Sequence, residues 1–195
     1  MLTADILLAR HGSHAELGHV LSGRSEVELS PAGRAEAERL AAWLADVPLA
    51  AIHSSPRRRA RQTAEVVAGP HGLVVERIDA LDEIDFGAWA GARFAKLESD
   101  THWRHWNEAR DRARAPGGET MAEATARAVH HLEALTAAGP VLCVTHCDLI
   151  RGVVAHYLGL GLDRLLSFDC APASLTTLAR EGQGARIISL NERPR

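Results

Sequence analysis

The sequence predicts an α/β fold, and specifically a three-layer α/β/α sandwich with a mostly parallel central sheet. Short apolar runs alternate along the chain with longer helical patterns, as in proteins that pack helices on both faces of one sheet. Apolar residues make up 46% of the 195 residues and charged residues 24%, which are ordinary proportions for a packed core and a solvated surface. The length predicts a single domain that spans residues 1–195.

In the first half of the chain, a serine followed by a proline marks the start of each predicted helix. The serine side chain caps free backbone amides, and proline has the backbone angle of a first helical turn. These pairs are Ser30-Pro31 and Ser55-Pro56. The predicted order is a strand at 6–9, a helix at 30–46, a strand at 49–53, a helix from 55 onward and a strand at 73–78.

The second half begins with a capping box, in which Thr120 and Glu123 each satisfy a free amide at the start of a helix. This helix is predicted to run to about Ala138, because Gly139 and Pro140 end it. The remaining predicted elements are a strand at 141–145, a helix that Asp148 caps and that ends near Leu158, and two strands at 174–178 and 186–190.

Composition argues against several classes of protein. The net charge is −3, which gives no general attraction to nucleic acid or anionic lipid, and aromatic residues at 4% are too few for a platform that stacks bases. The three cysteines are an odd number and do not indicate a disulfide scaffold. The first residues lack the basic segment and long apolar run of a signal peptide or membrane span. We therefore expect a cytoplasmic monomer or homodimer without nucleic-acid or membrane partners.

Three of the predicted strands end at polar residues. Arg10-His11-Gly12 follow the first strand, Ser54-Ser55 follow the second, and His146 follows the strand at 141–145. Ligands bind outside the carboxyl ends of the strands in open α/β sheets, so we expect these residues to line one crevice. The connection from 12 to 29 begins at this crevice, and its length of about 18 residues indicates a functional loop.

His11 is the candidate nucleophile of this crevice. A neutral imidazole can attack phosphorus, and the covalent intermediate divides one difficult displacement into two easier ones. Arg10 beside it offers forked donors to a phosphate group. The other interpretation of His11 is an ordinary polar histidine in a loop.

Basic residues also follow the second strand, in the run Arg57-Arg58-Arg59-Ala60-Arg61. The start of a helix is already positive, so basic side chains there are unfavourable unless an anion is bound. At least one of these arginines is therefore expected to face a phosphate, and the pattern alone does not choose which. His146 would complete the positive pocket as a phosphate donor or proton carrier. Its alternative role is a strand-end histidine bonded to backbone.

The proton for a leaving alkoxide requires a positioned carboxylic acid. Three carboxylates compete for this role in the stretch from 81 to 87, and the residues alone do not separate them. They are Asp82, Glu83 and Asp85.

Five stretches in order along the chain resemble the histidine phosphatase superfamily, in the branch that contains phosphoglycerate mutases and α-ribazole phosphatase. The stretches are Arg10-His11-Gly12, residues 54–64, Glu83 with residues 86–89, residues 116–120 and Val144-Thr145-His146. The resemblance implies a phosphoglycerate mutase-like fold and a phosphatase that needs no metal or other cofactor and acts on a small phosphorylated metabolite.

The same resemblance implies a role for each site residue. His11 becomes phosphorylated, while Arg10, Arg59 and His146 hold the phosphoryl group. Glu83 donates the proton to the leaving group and later activates water. The phosphate-binding residues further include Ser22, Gly23 and the backbone amide of Cys147. The chain departs from the family pattern at Ser13-His14, at Leu17, and at Cys147, where the family commonly has glycine.

Other functions were weighed against a phosphatase. A phosphomutase would return the phosphoryl group to an organic hydroxyl, and a non-catalytic protein on the same fold would only bind a phosphorylated ligand. A metal hydrolase could use His102 with His105 or His130 with His131, but these pairs lack carboxylate or cysteine partners at ligand spacing. We therefore expect no metal site.

Trp89, Trp103 and Trp106 belong to an aromatic-rich stretch between the candidate acid and residues 116–120. The spacing of Trp103 and Trp106 fits one face of a helix and predicts a stripe in the core. If the stretch instead faces the crevice, it favours an apolar or aromatic leaving group.

Overall fold

The computed structural model describes residues 5–181 and 184–194, and within these ranges six strands form one sheet in the order β3-β2-β4-β1-β5-β6. The strands β1, β4, β2 and β3 run parallel, and β5 and β6 are antiparallel additions at one edge. The predicted, mostly parallel sheet is therefore confirmed. The bounds are β1 Asp5–Arg10, β2 Ala51–Ser54, β3 Val75–Arg77, β4 Val141–Thr145, β5 Leu175–Glu181 and β6 Gly184–Glu192.

Helices cover both faces of the sheet, which confirms the three-layer arrangement. Along β1, Leu7 and Ala9 pack in the core beneath the helices Pro31–Leu44 and Arg58–His71, whereas Ile6 and Leu8 pack beneath the helices Met121–Glu133 and Cys147–Leu158. This alternation follows from the two-residue period of a strand. The helices are α1 Pro31–Leu44, α2 Arg58–His71, α3 Phe94–Leu97, α4 Thr101–Glu108, α5 Met121–Glu133 and α6 Cys147–Leu158. In the described ranges, no helix combines the length and apolar character needed to cross a bilayer.

Two helix starts lie where the capping patterns predict them. The Ser30 hydroxyl accepts a hydrogen bond from the Gly33 amide at 3.0 Å, and Pro31 occupies the first turn of α1. Thr120 and Glu123 form both bonds of a capping box at the start of α5. This helix ends at Glu133, short of the predicted Ala138.

The other two predicted caps are wrong. The helix α2 begins at Arg58 rather than at Ser55, and its N-cap residue, Arg57, makes no side-chain capping bond. The helix α6 begins at Cys147, so Asp148 lies inside the first turn instead of capping it. The reason is local, because the Ser55 hydroxyl lies beside the imidazole of His146, and the Asp148 carboxylate pairs with arginines.

The strand predicted at 73–78 is shorter than expected. Only Val75–Arg77 pair with β2, and Val74 is 83% exposed. The last two strands are longer than predicted, because β5 and β6 pair with each other as well as with β1.

Trp106 lies in the core and is 1% exposed, on the inner face of α4. Its ring stacks on Trp103 with 5.4 Å between centroids and meets Trp89 and Phe86 edge-on. The interpretation of these tryptophans as a core stripe is therefore the correct one.

Candidate active site

The carboxyl ends of the parallel strands β1, β4 and β2 lie side by side at the same end of the sheet. His11 directly follows the last residue of β1. Its backbone amide donates to the carbonyl of Thr145, the last residue of β4, at 3.0 Å. The chain then passes close to α1, where a Cβ added at Gly12 would lie 2.4 Å from the carbonyl oxygen of Gly33. A side chain at this position would displace the loop that holds His11, which explains the glycine.

The His11 imidazole is held in one orientation. Its Nδ1 lies 2.8 Å from the Gly12 carbonyl oxygen, so Nδ1 carries the proton and Nε2 is unprotonated. That Nε2 atom accepts a hydrogen bond from Arg59 Nε at 3.2 Å. Burial, and then the charges of Arg59 and Arg10, lower the pKa of His11 well below its ordinary value. The ring is therefore neutral at neutral pH, as a nucleophile must be.

Arg59 is 1% exposed and lies at the centre of the site. Its guanidinium donates to the carbonyl of Gly23 at 2.7 Å and to that of Ser25 at 3.1 Å, which fixes the plane of the fork. The same group reaches His146 Nδ1 at 3.2 Å. Because these bonds already hold the guanidinium in one orientation, the side chain loses little further conformational entropy when an anion binds to it.

The neighbouring arginines point elsewhere. Arg57 pairs with Asp82 at 3.0 Å, and Arg58 pairs with Glu28 on the surface at 2.7 Å. Arg61 donates to the backbone carbonyl of Pro56. Among the four arginines of the run, Arg59 is the one that meets His11.

His146 is fully buried opposite His11, with 5.1 Å between the ring centroids. Arg59 donates to its Nδ1, so its Nε2 carries the proton and donates to the Ser55 hydroxyl at 2.8 Å. Ser55 in turn donates to an Asp82 carboxylate oxygen at 3.3 Å. Burial, and then Arg59, lower the pKa of His146 well below its ordinary value.

Sequence reasoning gave neither Ser55 nor Asp82 a role in the site. Ser55 was expected at the crevice but resembled a helix cap, and Asp82 was one of three equivalent carboxylates. The signals for Ser55 are its position directly after a strand that ends at the crevice and its place in the stretch 54–64 that resembles the family.

Glu83 is the carboxylate that faces the centre of the site. Its Oε2 lies 3.5 Å from His146 Nδ1 and 3.9 Å from Arg59 Nη2. Burial raises the pKa of Glu83 to about 8, although the charge of Arg59 opposes the shift. Asp82 bonds to Ser55 and Arg57, and Asp85 pairs with Arg24 on the outer side. The geometry thus separates the three carboxylates.

Other predicted phosphate-binding residues line the same cleft, namely Arg10, Ser22, Gly23 and Cys147. The Arg10 guanidinium donates to the Cys170 carbonyl at 2.6 Å, while its Nε is buried and meets no partner within the described residues. The buried Ser22 hydroxyl is likewise without a partner in the described part of the chain. Buried polar groups of this kind are costly unless a ligand or water satisfies them.

Cys147 is the first residue of α6, and no side chain caps this helix. The first amides of a helix have no intrahelical acceptor, and the helix dipole adds a partial positive charge at the same place. Because Cys147 borders the cleft, these amides are available to an anion there.

The apolar side chains of Leu17, Phe86 and Phe94 and the carboxylate of Asp148 also line the cleft. His14 packs 5.3 Å from the His11 ring, and burial lowers the pKa of His14 to about 4. Ser13 points away and bonds to Glu36 of α1.

Comparison with known proteins identifies the family of this chain. The histidine phosphatase superfamily (branch 1) matches residues 6–193. The chain belongs to the histidine phosphatase superfamily. It is 30% identical over 193 residues to phosphoserine phosphatase 1 of Hydrogenobacter thermophilus, covering 95% of this chain and 91% of that protein. It is 31% identical over 175 residues to glucosyl-3-phosphoglycerate phosphatase of Mycobacterium tuberculosis, covering 82% and 78%.

Solved structures place this histidine phosphatase in the expected fold. The Bacillus stearothermophilus protein YhfR superposes with a TM-score of 0.91 at 26% identity, over 97% of each chain. The predicted phosphoglycerate mutase-like fold is therefore confirmed. The expectation of a phosphatase of the histidine phosphatase type is confirmed at the level of the family, because the named relatives are phosphatases.

Proposed function

We propose that this histidine phosphatase hydrolyses a small phosphomonoester through a phosphohistidine formed on His11. The observation that carries the proposal is the placement of one imidazole, with Nε2 unprotonated, beside the buried guanidinium of Arg59 and the Glu83 carboxyl group, whose pKa is raised to about 8. A nucleophile, a stabiliser of phosphoryl charge and a general acid are the three groups that this chemistry needs.

In the first step, His11 Nε2 attacks phosphorus and the bond from phosphorus to the ester oxygen breaks. Glu83 gives its proton to that oxygen, and the alcohol leaves. In the second step, the Glu83 carboxylate takes a proton from water as the water oxygen attacks phosphorus. The phosphorus–nitrogen bond breaks, inorganic phosphate leaves, and both side chains regain their starting states.

The charge that develops on the phosphoryl oxygens would be held by Arg10, Arg59 and the first amides of α6. Arg59 Nε would move its hydrogen bond from His11 to a phosphoryl oxygen, which frees the attacking lone pair. Neutral His146 would hold the Arg59 guanidinium in position through their hydrogen bond. Ser22 and Gly23 would border the bound phosphate. Donors that are already oriented stabilise such charge without further reorganisation.

A phosphatase is favoured over a phosphomutase and over a protein that only binds a phosphorylated ligand. In the described residues, the cations that line the cleft are Arg10 and Arg59, and both lie at the proposed phosphoryl position. A mutase substrate carries a second acidic group, which would need a further cation. Nearby Arg24 and Arg57 are already occupied by carboxylates. A pure binding protein would have no use for Glu83 as a protonated acid.

The leaving group that suits the remaining side chains of the cleft is a compact alcohol. Leu17, Phe86 and Phe94 would contact its carbon atoms, and Asp148 would favour a hydroxyl or ammonium group over an acidic one. The phosphorylated substrate in the name of the Hydrogenobacter relative is of this size, but it carries a carboxylate for which the cleft offers no further cation among the described residues, so we favour an amino alcohol over an amino acid. A single domain, a cytoplasmic location, a monomer or homodimer, and the absence of cofactors, nucleic-acid partners and membrane partners stay predictions.

The test is to trap the intermediate. The protein is mixed with an aryl phosphate, quenched in alkali, where phosphohistidine persists, and digested for mass spectrometry. We expect phosphate on the peptide that contains His11, and neither label nor turnover in His11→Asn, with an unchanged circular dichroism spectrum. A His14→Asn variant serves as the matched control and should still be labelled. Turnover by His11→Asn at the wild-type rate would refute the mechanism.

A further inference from the structure

A second cluster of titratable side chains lies on the face of the sheet that α5 and α6 cover. His53 of β2 and Cys143 of β4 are direct cross-strand partners, so their side chains project from the same face. His131 of α5 lies against this face of the sheet, and its Nε2 is 3.1 Å from His53 Nδ1. One ligand atom from each of the three residues lies within 4.8 Å of the other two.

We propose that His53, His131 and Cys143 bind a divalent cation of the Zn²⁺ type. Two imidazole nitrogens and one thiolate are preferred zinc ligands. Tetrahedral coordination with Zn–N distances of about 2.0–2.1 Å separates two ligand nitrogens by about 3.3 Å, which is close to the spacing of His53 and His131. The strand register brings together residues that are far apart in the sequence, and so no sequence motif reveals the site.

The Glu76 carboxylate lies beside the proposed ligand His53, near its second ring nitrogen. Glu76 of β3 is the cross-strand partner of His53 on its other side, and its Oε2 lies 3.8 Å from His53 Nε2. When Nδ1 binds a metal ion, Nε2 carries the proton and points towards this carboxylate. Histidine ligands in metalloproteins commonly have such a carboxylate partner, which orients the ring and increases its basicity.

The two imidazoles of the cluster are in the protonation state that metal binding needs, whereas the thiol has to lose its proton. Burial lowers the pKa of His53 and lowers that of His131 to about 4, so both imidazoles are neutral and have a lone pair to give. Burial raises the pKa of the Cys143 thiol to about 12. On binding, the thiol sulfur would form a bond to the cation and release one proton to solvent, with no change in oxidation state.

The site is separate from the proposed active site. Cys143 precedes His146 by three residues, or about 10 Å along the strand. A bound ion would tie α5 to β2 and β4, the strands whose ends carry Ser55 and His146. We therefore assign it a structural effect on the scaffold of the active site.

The test uses the full chain, freed of metal with a chelator and then exchanged into chelator-free buffer. Zn²⁺ is titrated in competition with a chromophoric chelator, and Co²⁺ is added to a second sample. We expect one Zn²⁺ per chain, a rise in Tm on binding, release of one proton, and a thiolate-to-cobalt charge-transfer band. Cys143→Ala should remove that band, and Cys143→Ala and His131→Gln should each weaken Zn²⁺ binding at least tenfold. Glu76→Gln should weaken binding about 10- to 100-fold.

The control is His130→Gln, which changes the neighbouring, exposed histidine of α5 and should bind Zn²⁺ as the wild type does. If Cys143→Ala does not fold, the half-buried His131 decides the test by itself. Absence of tight Zn²⁺ binding, or equal affinity in His131→Gln and His130→Gln, would overturn the proposal. The contact between His53 and His131 would then be a hydrogen bond between two imidazoles and nothing more.

Discussion

Replacing Glu83 by glutamine tests the proposed general acid directly. With its pKa raised to about 8, Glu83 is about 90% protonated at pH 7, whereas a carboxyl group at its ordinary pKa would be protonated in less than about 1% of molecules. Burial thus increases the fraction of competent acid by about 300-fold. Since a positioned acid contributes about 10²–10⁴-fold to a rate, Glu83→Gln should lower kcat/KM for an alkyl phosphate by that factor.

The assay compares an alkyl phosphate with an aryl phosphate whose phenolate leaves without protonation. The parameter to compare is kcat/KM, because it includes only the steps up to loss of the alcohol. Glu83 is also the proposed base for water in the second step, so we expect kcat to fall for both substrates. We expect kcat/KM for the aryl phosphate to change by less than about tenfold.

The pH profile gives an independent readout of the same group. The acid is competent when protonated, so kcat/KM for the alkyl phosphate should be flat below the pKa of Glu83 and fall tenfold per pH unit above about 8. Glu83→Gln should abolish this alkaline limb. Equal losses of kcat/KM with both substrates, or an alkaline limb that persists in the variant, would refute the assignment and point to another donor.

Three further substitutions test the surroundings of the site. Arg59→Lys should lower kcat/KM by about 10²–10³-fold, because a lysine ammonium group cannot replace a planar guanidinium that contacts His11, Gly23 and His146. The control Arg58→Lys, on the surface, should leave kcat/KM unchanged. Ser55→Ala leaves the buried His146 Nε2–H without an acceptor; it should destabilise the fold by about 1–3 kcal/mol in urea titrations and lower activity, and Ser55→Thr should restore both. Trp106→Ala should cost about 3–5 kcal/mol of unfolding free energy with little change in KM; a large KM effect at full stability would contradict its core position.

The layered fold was predictable because its signals are local. The fully buried strand at 141–145 is a continuous apolar run, and Ser30-Pro31 and Thr120 with Glu123 are capping patterns that need no tertiary partner. Strand order and register depend on contacts between distant segments. They therefore could not be predicted from periodicity.

The site was only partly predictable for a related reason. Positions at strand ends identified His11 and His146 as neighbours, but the choice of Arg59 from its run and of Glu83 from three carboxylates came from the family resemblance. The structure separates them by their surroundings: Arg57 and Asp82 pair with each other, whereas Arg59 and Glu83 both line the cleft. Which residue of a charged run faces the cleft depends on tertiary packing. The sequence of the run alone therefore does not predict it.

The two failed capping predictions have a common functional cause. A serine after a strand and an aspartate at a helix start are good caps in isolation, because their oxygens satisfy free amides. Here the Ser55 hydroxyl accepts hydrogen bonds from His146 Nε2 and from the amide of Arg57, which precedes α2, and Asp148 pairs with Arg110 and Arg151. The first amides of α2 and α6 therefore have no side-chain caps. Both helices begin at the end of the sheet where the parallel strands terminate and where His11 lies. A phosphate bound beside His11 would satisfy amides of α6, so the missing cap at that helix is itself a feature of an anion site.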